Sequence, residues 1–315
     1  MSTVMDTDTD TAVDGAAGGS VAITGREKRL LRHAMMPHML CPGCGHGIVL
    51  DAMLSVLSER YENLDNVAFV AGIGCSSRII GYIDACTLHT AHGRPLSFAT
   101  GLKLARPDLT VVVITGDGDG LSIGGNHLIH AARRNVDLTC VLLNNEIYGM
   151  TGGQAAPTTV LGAYTSTTPL GNTQHPFDAA ELAKAAGATF VARSQSYRPQ
   201  VFGELFSQAL DHVGFSFLEV MSDCTEYFGR INRFGEGADM LMGQARYEPS
   251  IDADLARIPT VEPVTIKQPV RPVLPIGVLH RSSRLTLEET LGIEGGRSSG
   301  VAGGKVDDAV QRMNG

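Results

Sequence analysis

Short apolar runs rich in β-branched residues recur along this chain. Each is followed by a longer stretch in which apolar positions return every three or four residues. Residues 67–72, 111–114, 138–143, 188–193 and 215–221 are too continuously apolar for one-sided strands and predict strands buried on both faces. Residues 46–58 bring Val49, Met53, Val56 and Leu57 to one helical face. Residues 97–106, the pattern Ile123, Leu128, Ile129, Ala132, and residues 199–211 predict further helices. A helix over 178–187 opens on Asp178 with Glu181 three residues on, a capping-box arrangement, and closes at Gly187. Strand and helix in alternation predict an α/β fold, a mostly parallel sheet with helices on both faces. Two connections stand out as loops: one from Cys75 to Arg94, and a polar Gly/Thr/Pro stretch over 151–176, long enough to suggest a functional role.

The ends differ in character. Asp6, Asp8, Asp10 and Asp14 fall among Gly and Ala, which predicts a disordered acidic lead-in over residues 1–25. It has neither the basic start nor the apolar core of a signal peptide. Residues 26–245 are expected to form one domain, and 246–315 an extension. Six prolines from Pro249 to Pro275 predict that this part wraps over a surface rather than joining a sheet. The glycine-rich end from Gly292 is expected to be mobile. The 43% apolar content is that of a globular protein, and there is no apolar run of membrane-spanning length. A net charge of −8 without a Lys/Arg cluster argues against nucleic acid and anionic membranes, and a cytoplasmic location is expected.

The chemistry concentrates between the strands at 111–114 and 138–143. The first runs into Gly116-Asp117-Gly118-Asp119-Gly120, and the second ends at Asn144-Asn145. Strand, glycine turn, helix and strand form a βαβ unit whose carboxyl ends are where ligands bind. Glycines let the backbone approach a diphosphate, and the following helix start offers free N–H groups. An Asp on one turn and an Asn on the next can hold a Mg²⁺ that also grips phosphate oxygens. This is the Gly-Asp-Gly…Asn signature of thiamine-diphosphate enzymes. Asn126, early in the helix that follows, is expected to cap it. Arg133 and Arg134 suit the negative end of that helix.

Six cysteines do not suggest a disulfide scaffold in a chain of this length. Cys86 and Cys140 read as ordinary buried thiols. Cys41-Pro42-Gly43-Cys44 is a C-x-x-C on a loop, Cys75 follows one strand end and Cys224 follows the last. A redox pair would want a strand before Cys41, and a zinc site a second close pair. Convergence of four thiols on the cofactor's sheet edge favours a 4Fe–4S cluster, with zinc and unliganded thiols as alternatives.

Together these segments resemble the β subunit of 2-oxoacid:ferredoxin oxidoreductases over roughly residues 36–235. The likeness rests on Cys41-Pro42-Gly43-Cys44-Gly45-His46, Gly72-Ile73-Gly74-Cys75-Ser76, His89-Thr90-Ala91-His92-Gly93-Arg94 and Ala99-Thr100-Gly101. It continues through the run from Gly116 to Asn126 and from Asn145 through Gln154 to Pro157-Thr158-Thr159. Asp223-Cys224-Thr225-Glu226-Tyr227 is most similar to the branch acting on 2-oxoglutarate. The resemblance implies a thiamine-diphosphate-binding fold with Mg²⁺ on Asp117, Asn145 and the Ile147 carbonyl. It implies thiamine diphosphate lined by Ile73, Gly74, Cys75, Ser76, His92, Gly93, Gly118, Asp119, Gly149 and Met150. One 4Fe–4S cluster would sit on Cys41, Cys44, Cys75 and Cys224. The implied reaction converts 2-oxoglutarate and coenzyme A to succinyl-coenzyme A, CO₂ and reduced ferredoxin. Arg78 is a candidate for the substrate carboxylate, and His92 for contact with diphosphate or substrate, whereas His89 reads as structural. No Glu stands in a motif that would activate the cofactor, so an obligate α subunit is expected to supply it. A pyruvate or broad 2-oxoacid:ferredoxin oxidoreductase is the first alternative, with a non-oxidative thiamine-dependent decarboxylase or a zinc-stapled non-catalytic module behind it.

Overall fold

The computed structural model describes residues 29–246, 269 and 271–300. In chain order the strands are β1 (Val67–Ala71), β2 (Cys86–His89), β3 (Thr110–Gly116), β4 (Thr139–Asn144), β5 (Ile147–Tyr148), β6 (Gln154–Ala155), β7 (Phe190–Gln195), β8 (Ser216–Met221) and β9 (Gly277–Arg281). The longer helices are α1 (Gly45–Arg60), α2 (Pro95–Ala105), α3 (Gly125–Arg134), α4 (Ala179–Ala185), α5 (Pro199–Asp211), α6 (Gly237–Gly243) and α7 (Leu287–Thr290). The main sheet runs β2-β1-β3-β4-β8-β7-β9, parallel throughout except for β9, and β5 and β6 form a separate small hairpin.

Side-chain alternation along each strand splits the core in two. Phe69, Val112, Ile114, Val141, Leu143, Phe190, Leu218 and Val220 face α1 and α5. Val70, Val111, Val113, Cys140, Leu142, Val191 and Phe217 face α2, α3 and α4. Both faces are covered, which is why these strands read as continuous apolar runs and why the fold is the expected α/β class. Asp178 caps α4 through Oδ1, which accepts from the Ala180 and Glu181 N–H groups, and Gly187 ends the turn at φ +97°. Asn126 does not cap α3 as expected: Gly124 holds that position, no side chain caps it, and Asn126 is exposed.

Three elements depart from the sequence expectation. The loop after Cys75 contains a tight 3₁₀ turn, Ser76–Tyr82, and then the edge strand β2. Cys86 begins that strand and is exposed, so it is not the buried thiol expected, whereas Cys140 in β4 is buried. The 151–176 loop begins in the hairpin partner β6. Beyond the prolines, β9 pairs antiparallel with β7, so the extension contributes a strand to the sheet. A single antiparallel edge strand on a parallel sheet is common, since its connection need not cross over a face.

The described part of the glycine-rich end is tied to the fold. Arg297 pairs with buried Asp137, whose other oxygen lies 3.0 Å from the buried Lys103 Nζ. The expected disordered lead-in, the proline-rich stretch over 249–268 and the tail over 301–315 lie outside the described residues. Among the described residues no helix is long and apolar enough to cross a membrane.

Candidate active site

Four neighbouring strands, β1, β3, β4 and β8, deliver their carboxyl ends to one edge. In-register pairs end at Ala71↔Ile114, Gly116↔Leu143 and Asn144↔Met221, so residues 72–76, 117–120, 145–150 and 222–224 leave side by side. Two of these loops continue into wide π-type turns, Gly118–Ile123 and Thr225–Gly229. Such turns are rare and recur at functional sites.

Asp119 ties its own loop to the 72–76 loop and to the turn at His92 and Gly93. Its Oδ1 accepts from the Gly93 N–H (2.7 Å), the Ile73 N–H (3.2 Å) and His92 Nδ1 (2.5 Å), and its Oδ2 from the Thr115 hydroxyl (2.6 Å). The carboxylate lies against Gly72, where any Cβ would collide with it. Both oxygens are thus engaged within the protein. Asp119 sets the positions of the Ile73 loop and of His92.

Asp117 is buried at 2% exposure. Its Oδ1 accepts from the Gly118 N–H (2.9 Å) and its Oδ2 from the Thr158 hydroxyl (2.6 Å). Burial pushes its carboxyl up to about 7 despite those two bonds, and among the described residues no Lys or Arg pairs with it. A divalent cation would supply the missing charge. Next on the edge, Asn145 and Glu146 are buried, and Glu146 holds φ +62°. That conformation costs a non-glycine residue roughly 1–3 kcal/mol. It is fixed by Asn144 Oδ1 accepting from the Glu146 N–H (3.2 Å) and by the Thr159 hydroxyl donating to the Glu146 carbonyl (2.6 Å). The turn brings Asn145 and the Ile147 backbone beside Asp117.

These groups line a cavity of about 80 Å³, together with Ile73, Gly74, Cys75, Ser76, His92, Gly118, Asp119, Gly149 and Met150. His46 also lines it, with 1% exposure and neither ring nitrogen partnered among the described residues. Burial pulls its pKa down to about 4, so it stays neutral. A buried, unsatisfied imidazole beside an uncompensated carboxylate fits a cavity that takes a polar, cation-bearing ligand. The volume lies far below the ~300 Å³ of a whole small-molecule site. A much larger groove, about 1580 Å³, lies apart from it between the Cys41–Cys44 loop, α1 and α5.

Of the four predicted cysteines, Cys75 lines this cavity, Cys224 stands beside it at Gly149, and Cys41 and Cys44 face the larger groove. A Cβ on Gly149 would lie 3.4 Å from Cys75 Sγ and 3.5 Å from Cys224 Sγ. Burial pushes the Cys75 thiol up to about 12, and the fields of Cys44, Cys224 and Cys41 add to that. The Cys41 thiol is raised by burial, then by Cys44, Glu226 and Cys224. The C-x-x-C loop is held to the last cysteine loop by the Thr225 hydroxyl, which donates to the Pro42 carbonyl (2.9 Å). Among the described residues no three His, Cys, Asp or Glu side chains stand in position to hold one metal ion. Cys75 and Cys224 thus meet at Gly149, and the fields of Cys44 and Cys224 reach both Cys41 and Cys75.

The remaining predicted residues fall outside the cavity. Gly93 is buried behind it, against Ile123 and Gly124, with φ +72°. Arg78 is exposed on the 3₁₀ turn after Cys75. His89 ends the edge strand and is exposed, so it is not a core histidine. Thr115, Thr158, Asp223 and Arg271 were not legible as site residues. Thr158 acts through Asp117 and Arg271 through Glu146 and Asp223, partners at least 41 residues away, while Thr115 acts through Asp119 four residues on.

Residues 72–220 match the family described as "Thiamine pyrophosphate enzyme, C-terminal TPP binding domain". The chain is 53% identical over 213 residues to the 2-oxoglutarate synthase subunit KorB of Methanothermobacter thermautotrophicus, covering 68% of this chain and 74% of that protein. It is 47% identical over 184 residues to the 2-oxoglutarate oxidoreductase subunit KorB of Mycobacterium tuberculosis, covering 58% of this chain and 49% of that one. A solved structure, 2-oxoglutarate:ferredoxin oxidoreductase from Magnetococcus marinus with 2-oxoglutarate, coenzyme A and succinyl-CoA bound, superimposes with a TM-score of 0.71 at 33% identity, over 90% of this chain and 95% of that one. With the thiamine-type sheet edge in place and half of the aligned residues shared with such subunits, the chain belongs to the family of 2-oxoglutarate synthase β subunits within the 2-oxoacid:ferredoxin oxidoreductases.

Proposed function

We propose that the chain acts with an α subunit to decarboxylate 2-oxoglutarate oxidatively, passing the acyl group to coenzyme A and electrons to ferredoxin. One observation carries this reading: the cavity that holds the uncompensated Asp117 carboxylate is also lined by Cys75 and by Gly149, against which the Cys224 thiol lies. When bound, thiamine diphosphate supplies the carbon nucleophile and electron sink for a 2-oxoacid, and an iron–sulfur cluster supplies one-electron acceptance beside it.

The protein's own part is to hold and orient. Asp117, Asn145 and the Ile147 carbonyl would hold Mg²⁺, with Thr158 fixing the carboxylate. Ile73 to Ser76, Gly118, Gly149 and Met150 would wall the cofactor. His92, oriented by Asp119, presents Nε2 as an acceptor when Nδ1 carries the proton toward the carboxylate. Cys41, Cys44, Cys75 and Cys224 would hold the 4Fe–4S cluster. Arg78, exposed on this chain, would meet a substrate carboxylate at the boundary with the α subunit, which also supplies the acid that activates the cofactor. Six free cysteines fit a reducing compartment, and we assign the cytoplasm.

The test is anaerobic co-purification with the α subunit, followed by a visible spectrum, iron, sulfide and thiamine analysis, and kcat/KM for 2-oxoglutarate and pyruvate with ferredoxin. The expected result is a brown complex with about four irons per β chain and a preference for 2-oxoglutarate. A colourless, thiamine-containing complex would instead indicate a non-oxidative decarboxylase. One zinc per chain without iron would indicate the non-catalytic module.

A further inference from the structure

Arg271 is far along the chain from every residue of the site, yet its guanidinium is buried between two of the site's loops. Its Nε stands 2.6 Å from Glu146 Oε2, and its Nη1 stands 3.0 Å from Asp223 Oδ1. The three side chains are 7%, 4% and 1% exposed. Glu146 is the residue between Asn145 and Ile147, and Asp223 immediately precedes Cys224. The guanidinium also lies over the rings of Phe228 (5.0 Å) and Phe234 (5.3 Å), which follow Cys224. Gln244 donates to the other oxygen of Asp223. One planar cation therefore joins a carboxylate on the Mg²⁺ loop to a carboxylate on the cysteine loop.

The chemistry of the pair makes this more than packing. Each carboxylate is buried against the shared guanidinium, and losing one partner of such a pair leaves a buried charge poorly compensated. The fork of an Arg can address two carboxylates at once, while a Lys ammonium is a point charge with no fixed directions. Glu146 also occupies the left-handed turn that positions Asn145 and Ile147, so movement of its side chain is transmitted to that backbone.

We propose that Arg271 is a positioning residue that couples the Asn145–Ile147 loop to the Cys224 loop, so that a change at either loop alters ligand binding at the other. The proposal rests on the assignment of Mg²⁺–thiamine diphosphate and the cluster to these loops. Arg271 touches neither group; it acts through Glu146 and Asp223.

The test uses the anaerobically purified α–β complex and reads each loop from the other side. Asp223→Asn alters only the cysteine-loop carboxylate and is read by Mg²⁺-dependent thiamine diphosphate affinity. Glu146→Gln alters only the metal-loop carboxylate and is read by the electron paramagnetic resonance spectrum of the reduced cluster. Asp223→Asn is expected to weaken thiamine diphosphate binding about tenfold, and Glu146→Gln to shift the cluster's g values. Both cross effects should vanish in an Arg271→Met background, and Arg271→Lys should keep only part of them. A wild-type complex without iron or thiamine diphosphate would sink the underlying assignment. A fully loaded wild type, with Asp223→Asn binding the cofactor normally and Glu146→Gln giving an unchanged spectrum, would overturn the coupling alone. If Asp223→Asn does not fold, the Glu146→Gln spectrum decides: a shift supports the coupling and an unchanged spectrum overturns it.

Discussion

Replacing Asp119 separates a residue that binds the cofactor from one that builds its site. Its carboxylate takes hydrogens from Gly93, Ile73, His92 and Thr115 at 2.5–3.2 Å. In Asp119→Asn the amide can turn its NH₂ toward Thr115, whose hydroxyl can rotate to accept. The carbonyl then still serves the two backbone N–H groups and His92, so no donor is orphaned. What is lost is charge at three bonds, each worth roughly 1.5–3 kcal/mol to an ionised acceptor against ~0.5–1.5 to a neutral one. The lower desolvation cost of a neutral amide offsets part of that, leaving about 1–2 kcal/mol of destabilisation. Asp119→Ala instead orphans the Ile73 and Gly93 N–H groups and the Thr115 hydroxyl, at ~1–3 kcal/mol each. A loss of about 4–6 kcal/mol is expected, a large share of the ~5–15 kcal/mol by which domains are stable. The assay is urea unfolding of the α–β complex stripped of Mg²⁺ and thiamine diphosphate, so that ligand linkage does not enter. A stability order of wild type, Asn, Ala is expected without cofactor. An Ala variant within about 1 kcal/mol of wild type, or a deficit that appears only when cofactor is present, would refute the role of Asp119 as the tie between loops.

Thr158→Val removes the hydroxyl that fixes the Asp117 carboxylate, and should weaken Mg²⁺-dependent cofactor binding by ~10–100-fold, as loss of an outer partner of a metal ligand usually does; unchanged calorimetry would remove Asp117 or Thr158 from the metal site. Gly149→Ala places a methyl 3.4–3.5 Å from two of the thiols, so iron per chain should fall by more than half with the circular dichroism spectrum unchanged; full iron content would show that no cluster fills that space. Burial, then Arg281 and Arg297, pull the His212 pKa down to about 4 from 6.5. The unfolded chain therefore binds the extra proton between those values, and His212 costs no stability above pH 6.5 but does so increasingly as pH falls toward 4. Allowing for its partial exposure, His212→Gln should recover about 1–2 kcal/mol at pH 4 relative to pH 7, and parallel pH curves for the two proteins would contradict this.

The central strands and the larger helices were legible because both signals are local: β-branched runs flanked by turns, and apolar residues every third or fourth position. α5 runs from Pro199 to Asp211 as its periodicity predicts. Strands β2 and β9 were not legible, because edge strands carry little apolar alternation; Cys86, Leu88 and His89 in β2 are exposed. Of the candidate site residues read from motifs, Asp117, Asn145, Gly118 and His92 all line the cavity. Gly93 lies behind the cavity at a left-handed turn, and a glycine needed for such a turn looks the same in sequence as one needed to admit a ligand. Thr158, Asp223 and Arg271 were missed because their value lies in pairings across dozens of residues, which no single window of sequence contains.

The strand order explains why the proposed decarboxylation and electron-transfer chemistries are adjacent. Asp117 and Asn145 follow β3 and β4 at the centre of the edge, while Cys75 and Cys224 follow the flanking strands β1 and β8. With neighbouring strands ~4.8 Å apart, the outer two strand ends are separated by about 15 Å, too far for their thiols to serve one group without bending inward. They bend toward the β4 loop and meet at Gly149. The loop that starts at a proposed Mg²⁺ ligand thus ends beside two proposed cluster ligands, and a side chain at its far end would disturb the thiols before the metal. A shift of this loop must move both sites together, which is why a buried Arg tying it to the Cys224 loop has leverage on each.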